Sequence, residues 1–264
     1  MSKKSKQHRN AGVRPQNLPS VYSGGPVAHE VHPRTVMGLL ELQRDCMQNG
    51  INYKWKVVHG SSIITDARNV LLDAFMESGY THLFMVDSDI GFSSRDVLRA
   101  VASGKDVVAL PCSKRHPDFK LAVEVMREFP EIPATNLPAY IGGVNFTTID
   151  NEVPDENMIL KVERIGTGAM MITRRALELF REKYPDRWYN NTVIGKRLTE
   201  FFRFTVHEET KEHWGEDFNF CEDMKAIGVD INVVVDAKTE HYGSFGFECD
   251  FSKLASNYIK GEVK

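Results

Sequence analysis

Between residues 20 and 111 the chain alternates short β-favouring runs with stretches of helical period, and this alternation narrows the available folds more than any other feature. The runs are 53–59 (YKWKVVH), 81–86 (THLFMV) and 106–110 (DVVAL), and the helical stretches are 34–47, 66–77 and 94–102. In the second stretch Val70, Leu71, Ala74 and Phe75 share one face, as an amphipathic helix requires. Ser93 and Ser94 ahead of Arg95-Asp96 read as a helix cap with an acid in the first turn. Tyr22-Ser23-Gly24-Gly25-Pro26 falls at the end of a first strand. Such alternation predicts parallel strands covered by helices on both faces, with ligands gathering at the carboxyl ends of the strands.

The second half is less regular. Pro117, Pro130, Pro133, Pro138 and Pro154, with Gly142-Gly143, make 112–158 a loop-rich stretch. Regular structure resumes with a strand over 159–165, the turn Gly166-Thr167-Gly168, an apolar run over 169–172 and a helix over 174–183. An irregular stretch over 184–200 leads to an expected strand over 201–207. A helix follows from about 216 to just before Gly228, its buried side formed by Phe218, Cys221, Met224 and Ile227. A strand over 231–235 and a final helix over 251–259 complete the reading. One α/β domain over 20–264 is expected, behind a flexible basic arm over 1–19.

With 33 Lys and Arg against 36 Asp and Glu, the net charge of −3 gives no reason to expect nucleic acid as a partner. No run approaches the roughly 18–20 apolar residues that cross a bilayer, and 1–16 has no apolar signal core. Cys46, Cys112, Cys221 and Cys249 form no CxxC pair and read as reduced thiols in a reducing compartment, so a cytoplasmic location is expected.

The most informative segment is 81–92, THLFMVDSDIGF. An apolar strand ends in Asp87-Ser88-Asp89 before an Ile-Gly-Phe turn, so both carboxylates stand at its carboxyl end. Neighbouring carboxylates repel unless a cation lies between them, and hard oxygen donors suit Mn²⁺ or Mg²⁺. The alternative is a solvated Asp-Ser-Asp turn. Glu216 and Asp217, after Trp214-Gly215, fall in the first turn of a helix, where the dipole alone would favour acids.

Asp66-Ala67-Arg68-Asn69, the helix after it and the His-Leu-x-x-x-Asp-x-Asp-x-x-Phe run ending at Phe92 resemble the GT-A-fold nucleotide-diphosphosugar glycosyltransferases, especially viral and bacterial members. The similarity continues through 106–113, 166–175, 214–225 and 241–244, and leaves the middle loops unmatched. It implies a single GT-A-like domain: a mostly parallel nucleotide-binding sheet flanked by helices, with a small antiparallel acceptor region. The nucleotide-binding half would be 20–111 and the acceptor-binding half 112–264. It implies Asp87, Asp89 and His241 as the metal site, with Asp89 the direct ligand and Asp87 contacting either the donor ribose or the metal through water. By the same resemblance Asp66, Arg68, Asp87 and Gly168 bind the nucleotide-sugar donor, and Asp217, seconded by Glu216, activates a glycan or other hydroxyl acceptor. Plain readings stand beside these: an exposed helix arginine for Arg68, a helix cap for Asp66, a simple turn for Gly168, and core packing rather than a sugar platform for Trp214. The implied activity is metal-dependent sugar transfer, with inversion slightly favoured, in a host cytoplasm were the chain viral. A sugar-phosphate nucleotidyltransferase would need a Gly-rich basic loop that 21–31 lacks. A noncatalytic carbohydrate-binding protein on the same fold would have no need of both acid pairs.

Overall fold

The computed structural model describes residues 19–243 apart from 116 and 144. The first half holds β1 (Ser20–Val27), α1 (Pro33–Gln48), β2 (Asn52–His59), α2 (Ile64–Ser78), β3 (His82–Val86), β4 (Ile90–Phe92), α3 (Ser94–Ala102) and β5 (Val107–Ala109). Next come α4 (Phe119–Glu128), β6 (Phe146–Thr148), β7 (Ile159–Ile165), β8 (Ala169–Thr173) and α5 (Arg174–Lys183). The hairpins β9 (Trp188–Asn191) with β10 (Lys196–Thr199) and β11 (Thr205–Val206) with β12 (His213–Trp214) follow. Then come α6 (Glu216–Ala226), β13 (Ile231–Val234) and β14 (Thr239–His241).

Eight strands form one mixed sheet in the order β2-β1-β3-β8-β5-β13-β7-β6. All run one way except β8 and β7, which lie antiparallel to their neighbours. In β3, Leu83 and Met85 join one core and Phe84 and Val86 the other, as period-2 alternation requires of a strand buried on both faces. On the first face α2, α5 and α6 contribute Leu71, Phe75, Phe180 and Phe220; on the second, α1 and α3 contribute Leu42 and Val97. Each such fully buried side chain stabilises the fold by about 1.5–3 kcal/mol. The expected α/β architecture, helices on both faces of one sheet, is the one found, and strands from both halves of the chain share that sheet.

Several local expectations are corrected. The Ile-Gly-Phe segment is a strand, because β14 returns to pair with it antiparallel. The loop-rich stretch contains α4, whose N-cap Asp118 accepts from the Leu121 amide, and a 3₁₀ turn over Ala134–Ala139. The irregular stretch 184–200 folds as the β9–β10 hairpin. In 201–207 only Thr205 and Val206 are strand; Phe201 and Phe202 are core residues held in irregular backbone. On α6 it is Phe220 that is fully buried, while Phe218 is only partly covered. Ser93 sits at the N-cap of α3 without a side-chain bond, and the Ser94 hydroxyl donates instead to Asp45, 2.6 Å away. Gly166–Gly168 is no hairpin turn, since β7 and β8 are separated by β13 and β5.

Cys46, Cys112 and Cys221 are free and buried, with burial pushing their thiols up to about 11, 12 and 12. Cys249 and the expected helix over 251–259 lie outside the described residues, as does the basic arm up to residue 18. No helix among the described residues is long and apolar enough to cross a membrane.

Gly24-Gly25 lets β1 lie against both neighbours. A Cβ on Gly24 would stand 2.2 Å from the Lys56 carbonyl oxygen, and one on Gly25 would stand 1.7 Å from that of Val86. Gly25→Ala must therefore push β1 from β3 beside Asp87. The expected cost is about 3 kcal/mol or more, read as a fall of roughly 6 °C or more in the thermal midpoint; an unchanged midpoint would contradict the packing described.

Candidate functional site

A cavity of about 360 Å³ opens at the carboxyl ends of β1, β2 and β3, where an α/β sheet places its ligands. Pro26 and Ala28 line it from β1 and the loop after it, Ser61 and Ser62 from the loop after β2, and Asp87 and Asp89 from the loop after β3. Arg115 and His241 complete the wall.

The acid loop is fixed by its backbone. The Asp87 amide donates to the Gly168 carbonyl at 2.8 Å, and the Ser88 carbonyl accepts from the His32 amide at 2.8 Å and the Thr35 hydroxyl at 3.1 Å. The Asp89 carbonyl accepts from the Tyr242 amide at 2.9 Å. Gly168 thus holds the loop through its carbonyl oxygen, in a place where a Cβ would come 3.2 Å from the Cys112 sulfur.

The two aspartates have different surroundings. Asp87 accepts from the Arg68 guanidinium at 3.2 and 3.4 Å. Burial pushes its carboxyl above the usual range, opposed by Arg68 and aided by Asp89. Asp89 is paired to Arg115 at 2.8 Å, and its Oδ1 lies 3.6 Å from His241 Nε2. Burial also works against its ionisation, but His241 and Arg115 outweigh that and hold it below the usual range. His241 is fixed in turn by a 2.6 Å contact from Nδ1 to the Ser113 carbonyl. A carbonyl only accepts, so Nδ1 carries the proton and Nε2 faces Asp89. Burial lowers the imidazole's basicity, yet Asp89 and the Ser113 carbonyl together raise it.

Among the described residues no three Asp, Glu, His or Cys side chains stand together as a ready metal-ligand set. The donors nonetheless fit a divalent cation. Asp89 and His241 converge, and a carbonyl orients the imidazole from behind as outer partners of metal-bound histidines do. Asp87 opens on the same cavity, turned toward Arg68.

Arg68 is 4% exposed, which overturns the reading of an exposed helix arginine. Besides Asp87 it pairs with Glu216 in the first turn of α6, its guanidinium lies 5.6 Å from the centre of the Phe202 ring, and its Nε is buried without a partner. Glu216 and Asp217 do not line the strand-end cavity; Glu216 is tied to it through this guanidinium, and the Asp217 carboxylate accepts from the Phe218 amide at 2.8 Å. Burial, then repulsion from Glu216, pushes the Asp217 carboxyl above the usual range. Asp66 does not cap α2: its Oδ1 accepts from the Tyr189 hydroxyl and the Asn191 amide, each at 2.6 Å. Its Oδ2 lies 3.5 Å from the Ser61 hydroxyl. The Trp214 ring is already in contact with His207, at 4.7 Å, and with Arg164, at 4.6 Å.

Arg115 and the Ser113 carbonyl escape sequence reasoning. The only available signal was position, directly after β5, in the same layer of strand ends as Asp87.

No protein-family model matches the chain, and no curated protein matches it. Among solved structures the chain is similar to the catalytic domain of Drosophila beta1,4galactosyltransferase 7 in complex with xylobiose, at 11% identity over 91% of this chain and 80% of that one, with a TM-score of 0.45. It is also similar to a glycosyltransferase involved in glycosylation of the major capsid of PBCV-1, at 10% identity over 61% and 63% of the two chains, TM-score 0.31. A third similar structure is 4-diphosphocytidyl-2C-methyl-D-erythritol synthase from Anaerococcus prevotii, at 9% identity over 66% and 80%, TM-score 0.31. At such identities these likenesses assign no chemistry to any residue.

Replacing Arg68 by Met leaves Asp87 and Glu216 as uncompensated carboxylates. The expected destabilisation is about 3–5 kcal/mol, a drop of roughly 10 °C in the thermal midpoint. A change of only a degree or two would mean that the buried guanidinium does not hold the two elements together.

Proposed function

We propose that the protein transfers a sugar from a nucleotide-diphosphate donor to a hydroxyl acceptor, with a divalent cation, Mn²⁺ or Mg²⁺, held by Asp89 and His241 and assisted by Asp87. One observation carries this reading: Arg68 joins the strand-end acid Asp87 to Glu216, so that an acid pair suited to a phosphate-bound cation and one suited to proton abstraction flank a single buried guanidinium. A structural cation site alone would not need the second pair.

The bound cation supplies Lewis-acid stabilisation of the charge that grows on the leaving nucleoside diphosphate. Arg115, largely exposed on its loop, offers charge-assisted hydrogen bonds to the phosphate oxygens. Ser61 and Ser62 present hydroxyl-bearing side chains on the wall beside Asp66. Asp217 accepts the proton of the acceptor hydroxyl as that oxygen attacks the anomeric carbon. The bond to the diphosphate breaks with its electron pair leaving on the phosphate oxygen, and direct displacement inverts the anomeric centre. Burial, and then repulsion from Glu216 anchored by Arg68, raise the proton affinity of the Asp217 carboxylate, which suits a general base.

Asp89→Asn is expected to abolish Mn²⁺-stimulated nucleotide-sugar turnover and to weaken Mn²⁺ binding measured by electron paramagnetic resonance at least tenfold. Mn²⁺ affinity equal to wild type would remove Asp89 from the site.

For Asp217 the direction of the shift fixes two outcomes. A base must be ionised, so transfer should rise with pH through the raised carboxyl value and then level off. Asp217→Asn should lose that limb and about 10²–10⁴-fold in rate while keeping donor affinity. The folded state binds the Asp217 proton more tightly than the unfolded chain, so above that range the charge opposes folding. At pH 7 the Asn variant should therefore melt no lower than wild type; a lower midpoint, or retained transfer, would rule the assignment out.

A further inference from the structure

Beside the strand-end cavity, across the first turn of α2, lies a second cavity of about 330 Å³. Asp66 and Asn69 line it from α2, Tyr189 from the β9–β10 hairpin, and Glu200, Phe202 and Phe204 from the segment that follows. Its walls are braced. The Tyr189 hydroxyl is bound to Asp66, and Asn69 bonds the Phe202 backbone in both directions, at 2.8 and 3.0 Å. Two features of the lining are left open by the fold. Phe204 is 46% exposed although its ring is backed by His213 at 5.5 Å. Glu200 makes no ion pair among the described residues, because both nearby arginines, Arg187 and Arg203, are taken by Asp223.

A concave site with aromatic walls and a few fixed polar groups is how proteins hold a small amphipathic ring. A pyranose meets those terms: its C–H face suits Phe204 and Tyr189, and its hydroxyls can donate to the unpaired Glu200 carboxylate. We infer that this cavity binds a sugar unit of the acceptor glycan, remote from the reacting hydroxyl, through Phe204, Tyr189 and Glu200. As an acceptor subsite it rests on the transferase reading. The first turn of α2 is the shared wall: Ile64 and Ala67 line the first cavity and Asp66 the second, with Asp66 Oδ1 in the Tyr189 and Asn191 network and Oδ2 3.5 Å from the Ser61 hydroxyl of the first cavity.

Saturation-transfer difference NMR of the full chain with methyl glycosides of glucose, galactose, mannose, xylose and N-acetylglucosamine tests this, alongside titration with UDP, GDP and CDP in the presence of Mn²⁺. At least one glycoside is expected to bind. Phe204→Ala and Glu200→Gln should each weaken it tenfold or more and leave nucleotide affinity within twofold. Trp188→Ala, on the same hairpin but outside the cavity, should change neither. Glycoside binding unaltered by Phe204→Ala, or absent while a nucleotide binds, would overturn the subsite and leave the transferase reading standing. Absence of nucleotide binding with Mn²⁺ would overturn the transferase reading, and the acceptor assignment with it.

Discussion

A single guanidinium buried between two carboxylates sets the terms for the site. Arg68 faces Asp87 and Glu216, with Asp89 and Asp217 one step further out. Burying a charge costs several kcal/mol per ion, whereas a close opposite charge returns about 4 kcal/mol at an effective dielectric constant near 20. One cation cannot offset two buried anions on those terms. Burial, and then the neighbouring carboxylates, push Asp87 and Asp217 toward their neutral forms, while Asp89, which has Arg115 and His241, is held ionised.

Rigidity comes from the other direction, from the backbone. The loop carrying Asp87 and Asp89 is held by the Gly168 carbonyl, the His32 amide and the Tyr242 amide, so three distant segments of the chain agree on where the two carboxylates stand. Such over-determination lets charges of like sign sit close without the loop relaxing away from the repulsion.

The sequence made legible whatever depends on local period. The strand–helix alternation up to residue 111, the two-sided burial of β3, the strand-end acids and the first-turn acids of α6 all follow from spacing of 2 or 3.6 residues. What spacing could not reveal is long-range pairing. β8 enters antiparallel between β3 and β5, although it follows both in the chain, and β4 exists only because β14 returns to it. The β9–β10 hairpin was hidden because its strands are four residues long and largely polar, and Phe201-Phe202 read as strand because a buried apolar pair looks the same in any backbone conformation. Arg68 was placed in the right helix but left undecided between solvent and ligand, since the partner that buries it, Glu216, lies 148 positions later.

The run Asp66-Ala67-Arg68-Asn69 acquires its meaning from helix geometry. Successive residues in an α-helix turn by about 100°, so four in a row at an N-terminus address four surroundings. Asp66 turns to the hairpin, Ala67 to the strand-end cavity, Arg68 to the two acid clusters, and Asn69 to the backbone of Phe202. Each identity suits its direction: a small side chain against the cavity floor, a long cation where two anions meet, an amide where a backbone N–H and C=O need a reciprocal partner. The first turn of α2 is therefore the wall between the two cavities, and any shift of this helix would move a surface of both at once.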